Sequence, residues 1–380
     1  MTTAEIVIIG GGVIGASVAW HLASEGMTDV VLLERESLGA GSTGRSVGGI
    51  RHQFSSAVNI KLSLASVAKF HRFTRETGAP AHFVWCGYLF LLDNEADWAQ
   101  FQRNVALQQE LGVPGVELLT PDDVKRLVPQ MEVDDLLGAT LCTHDGFGDP
   151  YSICQGYAQA ARRLGVRVRQ TVEVTGIDVR GGRVVGVQTT DGPIGCRCVV
   201  NCAGPWAAEI ARLAGVDLPI VPLKRQVYVT DLFDGLAQDA PMTIDFGPSF
   251  YFRREGKGIV FGMTDKDQPP GFDLRLNPDW LDTVIEQALR RVPVLAEARV
   301  MRGWAGLYDT TPDANPIIGA VPGLDGFLVA AGFSGHGFMH SPATGEVMAE
   351  MALGRPTTLD VSELGLDRFS QGVSREHNVI

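Results

Sequence analysis

The chain of 380 residues contains no apolar run approaching the roughly 18 residues of a membrane span, and its start, MTTAEIVIIGGG, shows neither a basic segment nor an apolar core followed by a cleavage site. A cytoplasmic protein with no membrane partner is the expectation. Basic clusters are missing as well. Lys and Arg number 32 against 44 Asp and Glu, for a net charge of −12, which argues against nucleic acid or an anionic lipid surface as a partner. Cysteine is sparse: six residues, at 86, 142, 154, 196, 198 and 202, none in a C-x-x-C pair. The tightest group, CRCVVNC, puts Cys196, Cys198 and Cys202 in and just after an expected strand whose alternate residues face opposite sides, so no metal site is expected. Repeats and low-complexity tracts are also absent. With 45% hydrophobic and 20% charged residues, the chain can bury a large core, and its length suggests two intertwined lobes.

What is present is concentrated at the start. The apolar run 6–9 reads as a parallel strand buried on both faces. Gly10, Gly12 and Gly15 then form G-x-G-x-x-G, followed by a helical pattern through Ile14, Val18, His21 and Leu22 that stops near Gly26. A second apolar strand, 30–33, ends on Glu34. This is the arrangement that brings a pyrophosphate close to bare backbone at a helix N-terminus, with an acid for the ribose hydroxyls. Gly10, Gly12, Val13, Ile14, Gly15 and Glu34 are therefore expected cofactor contacts. Arg35, beside the acid, keeps the exclusion of a 2′-phosphate incomplete. An NAD domain would continue with another helix and strand. Here the chain turns into LGAGSTGRS, where amides and the hydroxyls of Ser42, Thr43 and Ser46 can follow a pyrophosphate and ribitol chain. FAD is favoured over NAD, with Arg45 and Val174 as further contacts.

The rest of the chain reads as alternating segments. Helical spacing covers 56–76, strand-like pattern 83–92, a short capped helix PDDVKRLVP, and a helix over 150–164. Residues 219–310 hold strands at 226–230, 250–254 and 258–263 and one long helix at 278–291, an antiparallel sheet with a covering helix. GFLVAAGFSGHGFMHSPATGEVMAEMALG reads as strand, glycine-rich loop and helix, with Ser341 as the cap and Pro342 in the first turn. Gly204, in VVNCAGPWA, again admits close backbone approach. Trp206 and Trp304 read as core. The fold class is α/β with two lobes, discontinuous in sequence. A Rossmann-like FAD-binding lobe spans 1–80, 141–205 and 311–375, and an antiparallel-sheet substrate lobe spans 81–140 and 206–310.

Together the N-terminal fingerprint, GSTGRS, VVNCAGPWA, TPDANPIIG and AGFSGHGFMHSPATGE resemble the D-amino-acid oxidase superfamily of FAD-dependent amine oxidoreductases. The likeness is strongest to the branch with sarcosine oxidase and L-proline dehydrogenase β subunits, and it runs almost end to end. It implies an amine bound over one flavin face, between the lobes, and a partner subunit as an option. It also explains an odd feature of STGRSVGGIRHQF, which places two arginines among glycine and serine. The family sets a substrate-carboxylate arginine a few residues after the small-residue loop, and Arg51 stands there. Bidentate grip of a carboxylate is what a guanidinium does best. Gly335, His336, Gly337, Phe338 and Met339 fall in the flavin-facing loop, and its helix N-terminus would stabilise charge on the reduced ring. His336, Tyr251 and Tyr308 join Arg51 as candidate catalytic residues, and His52 as a candidate for the pocket wall.

Departures from the family matter too. Monomeric sarcosine oxidase pairs its arginine with a lysine where Met339 stands, and its oxygen-activating lysine corresponds to about Val260. Both replacements point to a dehydrogenase rather than an oxidase, with an unknown electron acceptor. Gly306 replaces the cysteine that binds flavin covalently, no histidine stands in the N-terminal loop where dimethylglycine dehydrogenase attaches its flavin, and Pro150 occupies the neighbourhood of the FMN histidine. Non-covalent FAD is expected. The leading reading is dehydrogenation of a small amino acid or N-methyl amino acid, a sarcosine- or proline-like secondary amine, to an imine by hydride transfer to flavin N5. A D-amino-acid dehydrogenase and a non-catalytic FAD-binding assembly subunit are the alternatives.

Overall fold

In the computed structural model, which describes residues 2–372 and 375–379, the apolar run Ile6–Ile9 lies in the middle of a six-stranded sheet. The order across it is Arg167–Arg169, Val30–Leu33, Ile6–Ile9, Cys198–Asn201, Phe327–Ala331 and Ile317–Ala320. All neighbours are parallel except the last pair. Continuous apolar sequence is explained by burial on both faces. Ile6 and Ile8 pack with helices Val13–Ser24, Ala57–Thr77, Pro150–Arg163 and Gly337–Ala352, while Val7 and Ile9 join the opposite core with strands Val174–Arg180 and Arg183–Thr189. The cysteines divide likewise: Cys198 and Cys202 lie in the first core and Cys196 in the second, and all six are free thiols.

The parallel strands end together at Ile9, Leu33, Asn201 and Ala331, so the loops that follow them gather along one edge. Ligands of open α/β sheets bind at this edge.

The second large sheet has eight strands: Val300–Thr310, Val221–Thr230, Gly258–Met263, Phe250–Glu255, Met242–Asp245, Tyr88–Leu92, Gly138–Cys142 and Val116–Leu119. The five strands within 219–310 are antiparallel as expected, but Met242–Asp245 runs parallel to Tyr88–Leu92, so the whole sheet is mixed. Helix Pro278–Arg291 covers one face through Val284 and Ala288. It is anchored by the buried Arg291, whose Nε donates to Asp245 Oδ2 at 2.8 Å. The other face carries Tyr88, Tyr251 and Val227.

Two expectations need correction. The last long helix begins at Gly337, not at Ser341, and Pro342 is inside it. The turn into it is made by Gly335 at φ +99°, a conformation that relieves Ser341 of any capping task; Pro342 is tolerated there at the loss of one N–H. Trp206 and Trp304 are half-buried rather than core. Trp206 stacks on Phe272 with ring centroids 5.5 Å apart, and Trp304 Nε1 donates to the Arg45 carbonyl at 2.9 Å. Their polar edges and open faces serve the loops around the strand ends. No helix among the described residues is long and apolar enough to cross a membrane.

Candidate active site

A cleft opens at the carboxyl ends of the parallel strands and runs to the face of the eight-stranded sheet that carries Tyr88, Tyr251 and Val227. Its first wall is the glycine loop. Gly10 adopts φ +109°, and a Cβ there would sit 2.4 Å from the Cys202 carbonyl oxygen, so no other residue fits. Gly12 precedes helix Val13–Ser24 and leaves it without a side-chain cap of its own. Gly10, Gly12, Val13 and Ile14 line the cleft. Gly15 does not. A Cβ at Gly15 would lie 2.0 Å from the Gly10 carbonyl oxygen, so its bareness serves close packing of helix on strand. Glu34 is at the cleft and also braces the loop: Oε2 accepts from the Gly11 N–H at 2.7 Å and Oε1 from the Glu36 N–H at 2.8 Å. Arg35 lies over the Trp206 ring at 4.1 Å, so the two form one wall.

The small-residue loop lines the cleft through Ser42, Thr43, Arg45 and Ser46, but its side chains are already engaged. Thr43 Oγ1 accepts from the Val13 N–H at 3.0 Å, Ser42 Oγ donates to the Leu307 carbonyl at 2.7 Å, and Arg45 Nη1 donates to the Ala305 carbonyl at 3.0 Å. Ser46 Oγ accepts from the Gly48 N–H at 3.1 Å. These groups staple the loop to the glycine turn and to strand Val300–Thr310. Val174 and Gly204 complete this end.

At the other end the loop 332–336 lies under Tyr308. A Cβ on Gly335 would come within 2.3 Å of the Tyr308 ring. Asp309 holds the loop, its Oδ2 accepting from the Gly332 N–H at 2.7 Å and its carbonyl from the Ser334 N–H at 2.9 Å. Burial pushes the Asp309 carboxyl up to about 6, against the backbone N–H groups of Gly332 and Phe333. His336, 1% exposed, has no hydrogen-bond partner on either ring nitrogen. Burial, with His340 and Arg51 nearby, holds it far below the usual histidine range, so it is neutral. An orphaned buried imidazole in a cleft wall has two ring nitrogens to offer a polar group of a ligand. Gly335, Gly337, Phe338 and Met339 line the cleft beside it.

Arg51 reaches this end from the side of the small-residue loop. It is 5% exposed, its guanidinium lies 3.9 Å over the Phe54 ring, and Nη1 and Nη2 donate to the carbonyls of Gln53 and Asn378. No carboxylate among the described residues forms an ion pair with it: Asp145 is bound to His52 and Glu376 to Ser55, Ser56 and Asn59. Burial lowers its pKa, opposed by the more distant carboxylates of Glu376 and Asp145, yet guanidinium stays charged in proteins, so the site holds a buried cation that no carboxylate among the described residues contacts. Tyr251 and Tyr308 face the same space, and burial raises both phenols, leaving them neutral donors. His52 is elsewhere: its Nδ1 is 2.6 Å from Asp145 Oδ1, with Cys142 alongside, in a buried cluster behind the wall.

The sequence reading missed Arg225, Tyr88, Trp206 and the segment 375–379, whose Val379 lines the cleft. Arg225 lies 4.9 Å from the Tyr308 ring, and its buried Nε has no partner. A charged residue on an inward position of strand Val221–Thr230 was its available signal. Tyr88 stands in a strand buried at every position, where nothing in the pattern marks the cleft side.

Comparison with known proteins agrees with this geometry. A family model described as "FAD dependent oxidoreductase" (DAO) matches residues 5–351. Human mitochondrial sarcosine dehydrogenase is 35% identical over 98% of this chain, which spans 42% of that protein. This chain thus covers less than half the length of such curated relatives. Among solved structures, L-proline dehydrogenase from P. horikoshii superposes with a TM-score of 0.92 at 34% identity, covering 98% of this chain and 100% of that one. Glycine oxidase from Geobacillus kaustophilus superposes with a TM-score of 0.86 at 25% identity, covering 97% and 99%.

Proposed function

The chain belongs to the DAO family of FAD-dependent oxidoreductases, and on that premise we propose that it dehydrogenates a small amino acid or N-methyl amino acid of the sarcosine or proline kind. The carrying observation is Arg51, a buried guanidinium without a carboxylate partner among the described residues, in the cleft wall beside His336 and Tyr308. A substrate carboxylate supplies the missing charge. When bound, FAD supplies the acceptor for the hydride lost from the amine α-carbon, and water hydrolyses the resulting imine. The cofactor's dinucleotide end belongs at Gly10, Gly12, Val13, Ile14 and Glu34, and its ring end beside His336 to Met339. Arg51 and Arg225 give this end a positive potential, which disfavours an ammonium and keeps the substrate amine in the neutral form that hydride loss requires. Tyr251 and Tyr308 shape the pocket and exclude water. Orientation by these groups, with reacting atoms about 3 to 3.5 Å apart, does most of the work without a dedicated base.

Three further assignments accompany this reading. FAD is held non-covalently, since Gly306 packs against Arg45 and offers no nucleophile. Electrons leave to an acceptor other than oxygen, since Met339 and the buried Val260 replace cationic side chains; a partner subunit can provide that acceptor. A reducing, cytoplasmic setting suits six free thiols. The division into a FAD lobe of 1–80, 141–205 and 311–375 and a substrate lobe of 81–140 and 206–310 draws support from the two large sheets, except that strand Gly138–Cys142 carries the second sheet past the 140/141 boundary to Cys142.

The test is an anaerobic titration of the purified yellow protein with sarcosine, L-proline, glycine and D-amino acids, followed at the oxidised flavin band. Bleaching by an amino acid supports the reading, and release of all flavin as FAD on denaturation supports non-covalent binding. A flavin that no amino acid bleaches would contradict it.

A further inference from the structure

One of the two carbonyls that hold Arg51 comes from far along the chain, from the segment 375–379. This segment lies across the start of helix Ala57–Thr77. Glu376 is fully buried there. Its Oε1 accepts from the Ser55 N–H at 2.7 Å, the Ser55 hydroxyl at 2.6 Å and the Asn378 N–H at 3.0 Å. Its Oε2 accepts from the Ser56 N–H at 3.2 Å, the Ser56 hydroxyl at 2.8 Å and Asn59 Nδ2 at 3.0 Å. A carboxylate at a helix N-terminus with this many donors is a firm anchor. Asn378, also fully buried, donates from Nδ2 to the Gln53 carbonyl at 3.2 Å and accepts at Oδ1 from Asn104 Nδ2 at 2.8 Å. The Gln53 carbonyl is the second oxygen that Arg51 binds.

We propose that Glu376 and Asn378 form a clasp that positions Arg51 for the substrate carboxylate. Resting on the reading of Arg51 given above, the clasp works by geometry. Glu376 pins the segment to the helix, Asn378 fixes its own backbone through Asn104 and Gln53, and the two carbonyls set the plane of the guanidinium against the Phe54 ring. Three of the five guanidinium N–H groups have no partner among the described residues and can turn to a ligand. A fork oriented in advance binds a carboxylate without first losing side-chain freedom. Glu376 and Asn378 are thus positioning residues, acting on substrate affinity and leaving the chemistry alone.

The test uses full-length, FAD-loaded Asn378→Ala and Glu376→Gln, each alone and combined with Arg51→Ala. Anaerobic flavin reduction is followed with whichever of sarcosine, L-proline and glycine bleaches the flavin fastest, and with the primary amide of that acid. Asn378→Ala is expected to raise Kd for the acid about 5- to 50-fold with a limiting reduction rate within about threefold of the parent, on the scale of a charged hydrogen bond lost in orientation. Kd for the amide should stay put, and the change should add nothing in the Arg51→Ala background. Equal weakening of acid and amide, or the same factor with and without Arg51, would make the segment a structural brace and overturn the clasp. If Arg51→Ala itself treats acid and amide alike, the carboxylate reading fails instead. Should Glu376→Gln not fold, Asn378→Ala, which keeps that anchor, decides the matter.

Discussion

The buried cation Arg51 organises its end of the cleft, with Arg225 beside it, and the side chains near them are set by what burial does to charge. The place of Arg51 in the cleft was legible through the family resemblance, which sets an arginine a few residues after the small-residue loop where GGIRHQF stands. Arg225 was not, since Lys224 beside it makes the pair look like ordinary strand-edge charge, and only the strand's alternation decides which one faces inward. Asp309 lies at the same scale. Its carboxyl titrates near 3.8 in an unfolded chain and near 6 here, so the native state holds the proton more tightly. The associated stability is complete below about pH 4 and is lost as pH rises through 6, leaving a charged Asp309 that costs up to about 3 kcal/mol above pH 7. Asp309→Asn keeps an acceptor for the Gly332 N–H and removes that charge. It should raise the melting temperature roughly three times as far at pH 8 as at pH 4.5, as measured by calorimetry. Equal shifts at both pH values would show that the carboxylate's charge is not the cause.

Among the elements, the legible ones were those with a strong period or a sharp stop. The strand 6–9, the glycine turn and the helix Pro278–Arg291 followed from apolar runs, Gly spacing and a Pro at the helix start. The start of helix Gly337–Ala352 did not, because Ser341-Pro342 imitates a cap while the true turn is made by Gly335. That glycine carries two constraints, φ +99° and the Tyr308 ring where a Cβ would sit. Gly256 carries only the first, with φ +57° and open space where a Cβ would sit. Gly335→Ala should therefore cost about 1 to 3 kcal/mol more than Gly256→Ala, and only the former should lower FAD content after purification. Equal costs in denaturant unfolding would mean that the ring contact is soft. The segment 375–379 had no legible signal at all. It forms no helix or strand, and its burial depends on Ser55, Ser56 and Asn104, which are remote in sequence.

Over the whole molecule, the sequence pattern conveyed two sheets interleaved along the chain but not how they join. Pairing of Met242–Asp245 with Tyr88–Leu92 is parallel and spans about 150 residues, beyond the reach of local turn signals. The joined sheet turns Tyr88, Arg225, Tyr251 and Tyr308 toward the strand ends of the first, so the cleft is a property of both. The resemblance to monomeric sarcosine oxidase implies that Val260 and Met339 stand where that enzyme has lysines, and this bears on the entire reaction cycle. A cation in a dry site can stabilise developing superoxide by several kcal/mol. The reduced protein should consequently react slowly with oxygen and quickly with a quinone or phenazine dye, in stopped-flow reoxidation. Oxygen turnover equal to dye turnover would contradict the dehydrogenase assignment.

The central claim, that Arg51 grips the substrate carboxylate, is tested most directly by the anaerobic reductive half-reaction of Arg51→Ala and Arg51→Lys against the parent, with an amino acid and its decarboxylated amine. Both variants should keep FAD, whose dinucleotide end is proposed to lie at Gly10, Gly12, Val13, Ile14 and Glu34, away from Arg51. Loss of a charged hydrogen bond to a buried carboxylate costs roughly 2 to 5 kcal/mol, so Arg51→Ala should lose about 30- to 5,000-fold in kcat/KM for the acid. Lysine, charged but without the planar fork, should recover part of it, and the amine should be nearly indifferent. Equal losses for acid and amine, or variants that shed FAD, would assign Arg51 to the cofactor or the fold and contradict the account.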